Sequence, residues 1–140
     1  MIENFKIISS FIKDMSSETP DSQTYIYVRD KISKYRLNLD INSKAVKDGI
    51  IEVNTVLKFS DQPEILKKSH FEITYTSIVK IDEKVSDKKE MEKIILCDVP
   101  NKIYPDLERI FLNLLSDSGY PGIKLEKKID FTELYKQRAN

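Results

Sequence analysis

The sequence predicts an α+β domain: a four-stranded antiparallel meander sheet with a long helix and a short C-terminal helix packed on one face. Two observations carry this. Apolar and polar residues alternate with period two through the first part of the chain, and the spacing changes to a helical one after the charged connector Asp82 to Glu90. Strands first and helices after place the helices as a layer on the sheet. The length of 140 residues suits one domain, residues 1–140, around a single core.

The first strand runs from about Phe5 to Ile12. Phe5, Ile7 and Phe11 share one parity and Ile8 and Ile12 the other, which predicts a bulge near Ser9-Ser10 or burial of both faces. Asp14 and Glu18 follow as an acidic pair before a turn at Pro20. In Tyr35 to Ile41 the odd positions are apolar, and Ile51 to Phe59 repeats the pattern apart from Val56. His70 to Ile81 forms the last strand, with Glu72 sharing the parity of Asn54 and Arg36 on the solvent face. Turn chemistry separates these runs at Asn42-Ser43-Lys44, Lys47-Asp48-Gly49 and Ser60-Asp61-Gln62-Pro63.

Met91 to Leu96 reads as a short helix that Pro100-Asn101 interrupts. Beyond it, Ile103, Leu107, Ile110, Phe111, Leu114 and Leu115 form one stripe of an amphipathic helix. Pro105 is expected in its first turns, with Asp106 and Glu108 near the positive end of its dipole. Ser118-Gly119 and Tyr120-Pro121 supply the stop. A last helix, Phe131 to Arg138, aligns Phe131, Leu134 and Tyr135 along one side. A four-stranded sheet under one long helix leaves apolar surface uncovered, so self-association through the helix and the edge strand is expected.

Composition excludes several classes. Lys+Arg and Asp+Glu both number 23, and the lysine doublets at 67–68, 88–89 and 127–128 are isolated, so no basic stripe marks a nucleic-acid binder. The single Cys97 has no disulfide partner and reads as a packed small side chain. His70, the only histidine, has no second ligand beside it, so no metal site and no cofactor are expected. No catalytic pair or glycine-rich phosphate loop is visible. No basic region followed by an apolar core opens the chain, and no apolar run nears the ~20 residues of a membrane helix, so a cytoplasmic protein without membrane insertion is expected.

Four places, in order, carry a family resemblance. They are the run Phe11 to Pro20; the strand His70-Phe71-Glu72-Ile73; Pro100-Asn101-Lys102-Ile103-Tyr104-Pro105; and Tyr120-Pro121 with Ile123-Lys124-Leu125, Ile129-Asp130-Phe131 and Leu134-Tyr135. Together they resemble SecB, the ATP-independent holding chaperone of bacterial preproteins. The resemblance implies a homotetramer, a dimer of dimers, with an oligomer interface at Ile103, Leu107, Ile110, Phe111 and Leu114. It implies apolar client grooves with Phe11, Tyr135 and Phe131, and a SecA-docking face with Asp14, Glu18 and Glu72. The chain departs from the family at Thr76-Ser77, where a glycine pair is usual, at His70 and in its neutral charge, and the mobile tail that many relatives carry is not expected. A chaperone of another client, such as an antitoxin, is the nearest alternative. A small enzyme with a ligand-binding cup is the second, and it requires a carboxylate buried in that cup.

Overall fold

The computed structural model describes residues 4–62, 67–125 and 129–139. Pro63 and the doublet at 127–128 lie outside them. Strands β1 (Phe5–Glu18), β2 (Arg36–Lys47), β3 (Ile50–Ser60) and β4 (His70–Ile81) form one antiparallel sheet in the order β1-β4-β3-β2. The antiparallel sheet with its helix layer is as the sequence predicts. The meander holds for β2, β3 and β4, whereas β1 joins on the far side of β4. A crossover made of helix α1 (Ser22–Arg29) and the tight turn Ile32–Lys34 carries the chain over to β2. Alternation identifies strands, but only a short loop obliges consecutive ones to be neighbours.

β1 extends beyond the expected Ile12 to Glu18, because β4 offers it partners along its whole length, down to Glu18 opposite His70. Asp14 and Glu18 therefore stand on a strand rather than in a loop. The mixed parity comes from bulges: the register shifts between Ile7 and Ser9 and again between Ile12 and Asp14, leaving Ile8 and Lys13 as extra residues. β2 also continues through Asn42-Ser43-Lys44. Its hairpin to β3 closes at Asp48-Gly49, where Gly49 takes φ 71°, a left-handed backbone that glycine enters without a Cβ penalty. Helix α1 was not expected; its N-cap is Asp21, whose carboxylate accepts from the Thr24 amide at 2.7 Å.

Helices α2 (Lys88–Lys93) and α3 (Val99–Asp117) are joined without interruption by a π-helical turn, Ile94–Asp98. Pro100 does not break the run. It lacks an amide hydrogen and its ring crowds the carbonyl four residues back, and the widened turn just before it takes that ladder position out of use. Because the run begins at Lys88, Pro105 lies inside the helix and Asp106 and Glu108 lie far from its start.

The inner sheet face and α3 make the core. Ile103, Leu107, Phe111 and Leu115, each four residues apart, are buried against Leu57, Phe59, Phe71, Ile73 and Tyr75, while Val99, one turn earlier, packs with Phe5, Val53, Val79, Ile81 and Ile94. Phe111 meets Phe59 edge-on with ring centroids 5.0 Å apart.

A Schellman cap ends α3: Tyr120 N–H donates to Leu115 C=O at 2.8 Å and Gly119 N–H to Ser116 C=O at 3.1 Å. Gly119 adopts φ 100°, and a Cβ there stands 2.6 Å from the Tyr25 ring, whose hydroxyl already donates to the Gly119 carbonyl at 2.8 Å. Gly119→Ala is expected to cost about 1–3 kcal/mol, read as a lowered urea midpoint with unchanged slope.

Candidate functional site: a trough along β2 and a charged outer face

β2 has one neighbour in the sheet, β3, and α3 crosses the sheet's middle. The inward side chains of β2, Leu37, Leu39 and Ile41, are therefore only half-buried. The C-terminal segment runs beside them without closing over them. Between Ile41, Leu39, Leu96 and α4 (Phe131–Ala139) lies a cleft of about 310 Å³ that includes Phe131, Leu134 and Tyr135. Leu39 and Leu134 also line a second cleft of about 770 Å³ with Leu37 and Ile129. Leu37 continues into a third, about 540 Å³, with Ile32, Tyr35, Ile123 and Leu125. Shared walls make these one apolar trough, roughly 20 Å long at the rise of a β-strand, room for about six residues of extended chain.

The trough is positioned by packing at its ends. Phe131 is 1% exposed and meets Tyr104 of α3 with centroids 5.5 Å apart, which seats α4. Tyr104's buried hydroxyl has no partner among the described residues, and burial, with Glu108 adding, pushes its ionisation up to about 12. Asp130 caps α4 by accepting from the Thr132 and Glu133 amides. Cys97 is buried beneath, its sulfur 3.5 Å from the Thr132 hydroxyl.

The expected groove aromatics do not gather in one protomer. Tyr135 lines the trough, and Phe131 supplies its packed floor. Phe11 is 45% exposed on β1, paired with Thr76 on the opposite face and edge, three strand spacings or about 14 Å across the sheet. Leu37, Leu39, Ile41 and Leu134 were not singled out as groove residues. Their alternation was visible, but which strand lies at the edge was not.

Asp14, Glu18 and Glu72 do come together. Asp14 opposes Thr74, Ser16 opposes Glu72, and Glu18 opposes His70, so all three carboxylates share the outer face. Lys58 and His70 lie 3.7 and 3.8 Å from Glu72, and Asp14 and Glu18 are exposed. In the middle of this face, Thr76 donates to Asn54 at 2.6 Å, and Asn54 donates to Asn42 and Glu52. The hydrogen bonds from Lys13 and Asn54 hold the Glu52 carboxyl below the usual carboxylate range.

Of the expected interface residues, Ile103, Leu107 and Phe111 are between 0% and 4% exposed inside the protomer. They face the sheet and cannot meet a partner, because the i, i+4 row holding them points into the core. Ile110 and Leu114, one helix position round, are half-exposed. Ile8, Phe11, Ile12 and Met15 are exposed on the free edge strand β1. Among the described residues no helix is long and apolar enough to cross a membrane.

The family model described as preprotein translocase subunit SecB matches residues 2–140. A protein-export SecB relative from Pelagibacter ubique (strain HTCC1062) is 89% identical over 140 residues, the whole of both chains. The protein-export protein SecB of Dinoroseobacter shibae is 28% identical over 141 residues, 98% of this chain and 79% of its own. The fold is similar to that of a Mycobacterium tuberculosis SecB-like chaperone solved with a peptide of the HigA1 antitoxin. The TM-score is 0.68 at 10% identity, covering 90% of this chain and 91% of the other.

Proposed function

Because the chain belongs to the SecB family of preprotein-export chaperones, we propose that it holds unfolded preproteins in the trough along β2 and hands them to the SecA motor. The trough carries this reading. Its lining is largely aliphatic and aromatic, with Asn38, Asp40, Asp130, Glu133 and Gln137 among it, and its length suits an extended segment, so it takes chains by burial rather than by sequence. Each client side chain seated is worth about 1.5–3 kcal/mol, so several together hold firmly while each lets go alone, with no nucleotide required. The free edge of β2 adds main-chain hydrogen bonds to a strand laid beside it.

The subunits assemble as a dimer of dimers, through Ile110 and Leu114 on the exposed flank of α3 and through the apolar side chains of β1. Native mass measurement with an unfolded precursor and no nucleotide tests both points. A tetramer that captures the unfolded chain and ignores the folded one agrees; a monomer that ignores both refutes the reading. No observation favours the enzyme alternative, which calls for a carboxylate buried in a cup; the buried polar side chains among the described residues are hydroxyls and an amide. The export name of the Pelagibacter relative weighs for preproteins over an antitoxin client.

Docking of SecA uses Asp14, Glu18 and Glu72, carboxylates on a flat face that steer a basic partner and fix its orientation. Glu72→Lys is expected to weaken SecA binding roughly tenfold while leaving client capture intact, measured by separate titrations. An equal fall in both rejects the site.

A further inference from the structure

We propose that the end of the outer sheet face carrying Lys6, Lys80 and Lys47 is a docking surface for an anionic phospholipid bilayer. The register builds it. Lys6 opposes Lys80, Lys80 opposes Ile50, and Ile50 opposes Lys47, so three lysines share one row across the sheet. The next row holds Ser9, Ile78, Glu52 and Lys44, and its one carboxylate, Glu52, is engaged by Lys13 at 2.9 Å. Lys6, Lys44, Lys47 and Lys80 are exposed and make no salt bridge among the described residues.

Like charges directly opposite on neighbouring strands cost stability, and Lys6 against Lys80 is such a pair. An external anionic surface offsets that repulsion. Exposed aliphatics accompany the charge: the bulge residues Ile8 and Val46 are 50% and 52% exposed, and Ile50 and Ile78 are half-buried between the lysines. Lysine heads above aliphatic side chains on a flat surface match lipid phosphates and the apolar layer just below them. A shallow hollow of about 390 Å³ at this end is rimmed by Lys6, Lys80 and Lys84 together with Asp82 and Glu83. Those two acids and Asp48 of the hairpin temper the field at its margin. The rows further along the strands hold the four carboxylates Asp14, Asp40, Glu18 and Glu72 against the two cations Arg36 and Lys58, so the excess of positive charge lies at the lysine end, which is the end presented to a bilayer.

Pelleting with vesicles of phosphatidylcholine, with and without phosphatidylglycerol, tests this. The protein is expected to bind the phosphatidylglycerol vesicles, less so as salt rises, and to ignore phosphatidylcholine alone. Each lysine at an anionic surface contributes about fivefold, so Lys6→Glu, which removes one and opposes the rest, is expected to weaken binding roughly 25-fold. The same change turns a cross-strand repulsion into an attraction, so its Tm should not fall below the parent's. Lys47→Glu, with no lysine directly opposite it, should lose binding equally. Equal binding to both vesicles, no binding to either, preference for free polyglutamate over vesicles, or full binding by both variants overturns the proposal.

Discussion

Phe111→Ala is expected to lower the unfolding free energy by about 3–5 kcal/mol, the largest loss of any single substitution considered for the fold. Phe111 is wholly buried, and its ring stands edge-on to Phe59 at 5.0 Å. Alanine leaves a void between α3 and the sheet that neither can collapse to fill, because β3 is fixed by strands on both sides. Urea denaturation followed by circular dichroism measures it. Leu114→Ala, on the half-exposed flank, should cost the isolated fold under about 1.5 kcal/mol while disturbing subunit assembly. If Phe111→Ala instead splits the assembly at little cost to folding, the ring faces a partner and the placement of the helix is wrong.

Leu39→Glu is expected to reduce capture of an unfolded preprotein roughly a hundredfold. Leu39 is, with Leu134, a wall shared by the two clefts nearest α4, so a carboxylate there puts charge where client side chains bury. The strand tolerates the change, since Leu39 is only half-buried and β2 lies at the sheet edge. Anisotropy of a labelled, reduced precursor reads the loss, and Asp14→Ala on the opposite face serves as the control that should bind as the parent does. Capture unchanged in Leu39→Glu removes the trough from the mechanism.

The sequence showed most clearly what solvent on one face and core on the other impose. Leu37, Leu39 and Ile41, then Val53, Leu57 and Phe59, then Phe71, Ile73 and Tyr75 alternate because one face of each strand meets α3 or the C-terminal segment. The far half of β1 gives no strand signal because the sheet's free edge leaves most of it exposed beyond Ile7, so Asp14 to Glu18 has the polarity of a loop. α1 was missed because its apolar signal is split: Val28 is buried, while Ile26 and Tyr27 are exposed. The acidic trio was found as residues, and the register then placed it on one face. The trough was not, since strand order and the lie of the C-terminal segment are long-range facts that periodicity does not encode.

The two extra residues of β1 bear on a hazard particular to a protein that lives among aggregating chains. A long, straight, greasy border strand invites endless stacking of copies into fibrils. Insertions at Ile8 and Lys13 break that border into three short stretches with shifted phase. Only a mate running the opposite way, with its own insertions offset to match, can lie flush along it, and such a two-fold pairing consumes both borders at once. Growth along the β1 border would then stop at the pair, leaving the β2 edge for a client.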